Sequence, residues 1–160
     1  MNEVAEGQEV QGLLIPQRQI PLLLPSAAVI EIIGFRELTP GGDQAPGWLL
    51  GYFEWRHMDL PLVSMERLLG VRREKRRGRR RIILVHVFSD ALEHPFMGIE
   101  ATGMPRLVNV NADNLSVEYT EWPRDWPILY KVKIQETEAL VPDLDRLGAL
   151  MAELEAAEHA

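Results

Sequence analysis

The sequence predicts a mainly β protein, a small barrel or sandwich carrying one C-terminal helix. Three observations predict it. Strand-sized apolar runs recur along the chain between clusters of turn-forming residues. From Ile82 to Phe88 the run IILVHVF is too uniformly apolar for a half-exposed strand, and it reads as a central, buried one. Only the last stretch, DLDRLGALMAELEAAEHA, sets Leu144, Leu147, Met151 and Leu154 at helical spacings, with Leu150 widening the stripe.

Taken in order, residues 1–9 form a loose tail and Gln11 to Pro16 with Ile20 to Leu24 a first hairpin. Ser26 is placed to cap a brief helical turn through Val29, and Ile30 to Leu38 continues extended. TPGGDQAPG, from Thr39 to Gly47, is loop by local chemistry. Trp48 to Leu69 then reads as strand, tight reversal, strand and a short helix opened by Ser64, with Arg56-His57-Met58-Asp59 as the polar tip. Pro61 has no N–H for a ladder, which places its strand at an edge or Pro61 near the strand's start. Gly70 sits where a left-handed residue ends that helix. Residues 71–81 are a basic excursion whose like charges repel, expected to be mobile without a partner. Pro95 to Ala101 and Pro105 to Val110 are strands, and Asn111 to Asn114 is a turn of self-bonding side chains. Thr120 to Trp126 is irregular. Ile128 to Gln135 alternates, with Ile128, Tyr130, Val132 and Ile134 on one face, and Leu140 to Pro142 closes the sheet system before the helix over 143–158. Residues 10–150 form one domain.

The formal charge of −7 hides an asymmetry. Between Arg72 and Arg81 stand eight basic residues and one acid, +7, while the remainder holds nine bases and 23 acids, −14. An acidic body makes a poor nucleic-acid binder, whereas Arg76, Arg77 and Arg79 in the loop suit an acidic protein surface or anionic headgroups. No cysteine is present, which removes disulfides and thiolate sites. No apolar run reaches membrane-span length, and the acidic N-terminus lacks a signal-peptide pattern, so a cytoplasmic protein is expected.

Little catalytic chemistry is legible. His57, His86, His94 and His159 lack metal-site spacing, and His86 within an apolar strand reads as structural. Gly-x-Ser-x-Gly, the dinucleotide fingerprint and the P-loop are all absent. No cofactor or metal is expected, and no enzymatic activity. Arg56, His57 and Asp59 can meet at the hairpin tip, either to bind a partner or merely to solvate the turn. Trp122 and Trp126 bracket Pro123-Arg124-Asp125, as a peptide platform or as a seal over a barrel end.

Particular stretches make the chain resemble the CheW family of chemotaxis coupling proteins. They are Val29-Ile30-Glu31-Ile32, the loop with Pro40 and Pro46, Trp48-Leu49-Leu50-Gly51, Glu54-Trp55-Arg56-His57, Leu60-Pro61-Leu62-Val63 and Leu69-Gly70. The second half resembles the family more weakly, at Ile82 to Val87, Phe96-Met97-Gly98-Ile99 and Val141 to Leu147. Within the family the chain is most similar to the short ChpC-type accessory couplers of pilus-linked chemosensory systems. His57 stands where the family has a glycine after the turn arginine. Ile99-Glu100-Ala101-Thr102 also lacks the family's valine-aspartate.

The resemblance implies two small five-stranded, SH3-like β-barrels sharing a hydrophobic interface. It implies a non-enzymatic adaptor between a chemoreceptor's cytoplasmic tip and the regulatory domain of a CheA-type histidine kinase, in control of type IV pili and twitching motility. Other CheW-like proteins are further expected partners. Arg56 matches the family's turn arginine, with Leu60, Pro61 and Leu62 as the expected water-excluding rim. The alternatives are an interaction module with no chemosensory role, or weak nucleic-acid binding through the basic loop.

Overall fold

The computed structural model describes residues 9–70 and 79–158. Its strands are β1 (Val10–Ile15), β2 (Leu22–Pro25), β3 (Val29–Gly34), β4 (Leu49–Trp55), β5 (Met58–Val63), β6 (Arg81–His86), β7 (Phe96–Ala101), β8 (Arg106–Val110), β9 (Leu115–Glu118), β10 (Ile128–Ile134) and β11 (Thr137–Pro142). A 3-10 turn (Ser26–Ala28) and two helices, α1 (Met65–Leu68) and α2 (Leu144–Glu158), complete the described elements. Residues 1–8 of the expected tail and 71–78 of the basic loop, including Arg76 and Arg77, lie outside the described residues, as does His159.

Two sheets result. One has six strands in the order β8-β1-β2-β11-β10-β9, and the other five in the order β3-β6-β7-β5-β4. The first thus has one strand more than the five expected. The extra one, β9, is four residues long and among the described residues pairs only with β10, too short a run to register as a strand in the sequence. Both sheets curl until their edges approach. The Asn111–Asn114 turn joins edge strands β8 and β9, held by Asn111 N–H to Asn114 Oδ1 at 2.9 Å and Asn114 N–H to Asn111 Oδ1 at 3.0 Å. In the second sheet, Trp55 Nε1 of β4 donates to Glu31 Oε2 of β3 at 2.9 Å.

Three apolar clusters explain the density of leucine, isoleucine and valine. One fills the first sheet around Leu14, Leu23, Val108 and Val132, and another fills the second around Phe53, Leu60, Leu62 and Ile82. The largest lies between them, where Leu13, Ile15, Leu22 and Leu24 meet Ile83, Val85, Met97 and Ile99, with Leu147 and Met151 of α2. Strand β6 therefore has core on both faces, Ile82 and Leu84 to one side, Ile83 and Val85 to the other. That is why its sequence does not alternate. Phe88, expected to be buried with this strand, instead lies beyond its end and is 70% exposed.

Local details follow from the backbone. Ser64 caps α1 by accepting from Arg67 N–H, and Gly70 follows at φ +74°. At the 3-10 turn, Ser26 is the first residue and the preceding Pro25 makes no side-chain cap, contrary to the capping role expected for Ser26. Pro61 sits inside β5, an interior strand, and is tolerated because the ladder to β7 begins only at Leu62. A β-bulge between Ile128 and Tyr130 breaks the expected alternation of β10 and leaves Tyr130 exposed. Gly98 is required by close approach: a Cβ there would lie 2.7 Å from both Ile82 and Phe53. Trp122 and Trp126 pack, partly buried, on the central cluster, which favours the seal.

Candidate protein-interaction site

The β4–β5 hairpin turns on two residues, Arg56 at φ 49° and His57 at φ 65°. Positive φ at both central positions is the geometry that matches the right-handed twist of the paired strands, and it favours Asn-Gly over the residues found here. The turn therefore survives the loss of glycine, with His57 held in the left-handed region. Beneath it Trp55 is buried, its indole N–H on Glu31 and its ring edge-on to Phe96 at 5.5 Å. The Arg56 guanidinium lies over the Trp55 ring, 4.6 Å from its centroid. A rigid aromatic base thus presents a flat cation to solvent.

The other expected site residues separate. His57 Nδ1 lies 3.9 Å from Glu54 Oε1, with both side chains exposed, an arrangement that contributes little. Asp59 is exposed and registers opposite Glu54, so it does not gather with Arg56 and His57. Leu60 and Leu62 are fully buried and form no rim. Strand alternation turns both into the cluster with Phe53, leaving Pro61 between them facing outward into a shallow groove. Arg79 is exposed.

Four residues that no sequence pattern brings together form a nearly buried ionic junction between the sheets. Arg18, in the β1–β2 connection, reaches Glu66 Oε1 of α1 at 3.2 Å and Glu100 Oε1 of β7 at 3.1 Å. Glu66 also accepts the Arg18 and Gln19 backbone N–H groups. Arg80 donates from Nε to Glu100 Oε2 at 2.7 Å and from Nη2 to the same oxygen, while its guanidinium carbon lies 3.6 Å from the Phe35 ring centroid. Burial alone would raise the Glu100 pKa, but hydrogen bonds from Arg80 and Arg18, and then their charges, hold it below the ordinary carboxylate value. The end of the basic segment is thereby tied into the body, so Arg80 belongs to the junction.

Among the described residues no group of three or more His, Asp or Glu side chains converges to hold a metal, and no helix is long and apolar enough to cross a membrane. His86 is partly buried, its ring edge-on to Phe88 at 4.5 Å and Phe96 at 5.5 Å.

Two curled sheets joined through one core, with their distinctive polar groups on a hairpin tip and in a structural ionic junction, define a β scaffold. The comparisons name the family. The CheW-like domain model matches residues 11–149, and the chain belongs to that family. CheW-like domains are non-catalytic scaffolds, and the chain's role is that of a CheW-type adaptor in chemotaxis-like signalling; proteins of this type generally bridge receptors and CheA kinases. The fold is similar to the crystal structure of the scaffolding protein TtCheW from Thermoanaerobacter tengcongensis, with a TM-score of 0.73 over 92% of each chain at 11% identity. No curated protein matches the sequence.

Proposed function

We propose that this chain is an accessory coupler in the cytoplasm, of the ChpC kind, linking a chemoreceptor tip to a CheA-type kinase regulatory domain in a pilus-linked system. One observation carries the reading: Arg56, at the position matching the family's turn arginine, is exposed and lies over the buried Trp55 ring. A guanidinium positioned in this way loses little freedom when it forks onto a partner's carboxylate or backbone carbonyls. His57 adjoins it in the turn, Pro61 lies further down β5 opposite Tyr52 as another contact, and exposed Arg79 offers a further, salt-sensitive one.

Arg56→Ala tests it. The fold should lose no more than about 1 kcal/mol, the worth of an exposed cation–π contact. Binding to the kinase regulatory domain or the receptor tip should weaken by about 2 kcal/mol, roughly thirtyfold. Circular-dichroism melts and calorimetric titrations separate the two effects, and unchanged binding to both partners sinks the assignment. Deleting the gene should impair twitching; normal twitching would remove the pilus link.

A further inference from the structure

A groove of about 270 Å³ lies between the β4–β5 hairpin, the 92–96 connection and the C-terminal turns of α2. Its lining is mainly apolar, with Leu60, Pro61, Phe96 and Met151 among the residues exposed to it or beneath it. Four carboxylates rim it, Asp59, Glu93, Glu155 and Glu158, together with His94, and among the described residues no lysine or arginine lines it. Glu155 and Glu158 lie towards the C-terminus of α2, whose last turn carries no basic residue. Anions there oppose the helix dipole, so an external cation would relieve them. Two of the carboxylates are held in place: Glu158 Oε1 accepts from Tyr52 Oη at 3.0 Å, and Glu155 Oε2 from Glu93 N–H at 3.2 Å.

The same chain carries the complement. Arg80 and Arg81 are partly buried at the protein's own surface, but residues 72–79 still hold six basic side chains and one acidic one, a net +5 against four groove carboxylates. Arginine suits this groove because its stem and flat guanidinium cover aromatic and proline surface while the charge meets the rim. A basic segment and an acidic groove on one chain permit reciprocal exchange between identical copies, each supplying a segment and a groove.

We infer that the Arg72–Arg79 segment of one copy docks in the Asp59–Glu93–Glu155–Glu158 groove of a second copy, giving salt-dependent self-association. The groove shares Pro61, and the segment shares Arg79, with the proposed coupling surface, but Arg56 lies outside the groove and the inference does not require the receptor–kinase reading to hold.

Sedimentation velocity on the full chain tests it. Association should rise with concentration at about 0.01 M salt and vanish at about 1 M, where screening shortens from roughly 30 Å to 3 Å. Glu155→Lys/Glu158→Lys should weaken association by about tenfold or more, and so should Arg76→Glu/Arg77→Glu. Mixing those two variants should restore it, because each then offers the charge that the other has lost. Asp59→Lys, on an exposed strand residue, is the substitute if the helix variant melts early. A wild-type chain that stays monomeric at low salt overturns the inference. So does association that persists unchanged in the groove variants, or a mixture that sediments like its separate components.

Discussion

Replacing Glu100 with glutamine removes one negative charge from the junction while keeping its shape. Its carboxylate faces two guanidinium groups, Arg18 at 3.1 Å on Oε1 and Arg80 at 2.7 Å on Oε2, and its own side chain is 3% exposed. Removing one member of a buried charge pair costs about 3–5 kcal/mol, chiefly by leaving the other charge poorly compensated. Glu66 still neutralises Arg18 and the Phe35 ring still faces Arg80, so we expect the lower end, about 3 kcal/mol. For a chain of this size that is a fall of about 6–12 °C in Tm.

The pH dependence provides a second readout. The folded-state pKa of Glu100 lies below its ordinary 4.5, so its stabilising contribution is present above that value and is lost as the pH falls through the folded pKa. Urea midpoints for the wild type and Glu100→Gln should therefore differ at neutral pH and converge in acid. A double-mutant cycle with Arg80→Gln should give a coupling of about 1–3 kcal/mol. A loss below about 1 kcal/mol at neutral pH, or parallel acid profiles, would refute the claim that this junction ties the two sheets together.

The remaining predictions concern the turn, the helix and the groove. His57→Gly should stabilise the fold by about 0.5–1 kcal/mol, because about 1–2 kcal/mol of left-handed strain is relieved and glycine's unfolded-state freedom returns part of it; an unchanged denaturation midpoint would show no strain. Leu147→Ala, at a fully buried position, should cost about 2–5 kcal/mol in denaturant melts. Gly148→Ala should instead gain up to about 1 kcal/mol from helix propensity, since the new methyl meets Val87 and Ser89 at ordinary contact distances of 3.5 and 3.6 Å. Tyr52 should titrate at about 12, raised by burial, by its bond to Glu158 and by the Glu158 and Glu155 charges. Any stability linked to that neutral phenol is present below its ordinary 10.0 and lost as pH rises through 12, and an ultraviolet titration in which all three tyrosines ionise together near 10.0 would contradict it.

By itself the sequence determined the elements whose cause is local. Pairing of Trp48-to-Leu69 segments around Arg56-His57, the Ser64 cap, the Asn111–Asn114 turn and the stripe of α2 all follow from near neighbours, and each stands close to where the residues place it. The resemblance, strongest between Val29 and Gly70, was enough to point to the family. Strand β9 escaped because four residues, Leu115 to Glu118, are too short a run to establish a period; its existence depends on β10 being beside it. Leu60 and Leu62 were misplaced on the surface because a strand's period shows which residues share a face, while the curl of the sheet decides which face is inside. The Arg18–Glu66–Glu100–Arg80 junction and the groove joining Tyr52 to Glu158 were invisible for a related reason. Their partners lie as far apart as 82 and 106 residues in the chain, and only the packing of two sheets and a terminal helix brings such charges within bonding distance.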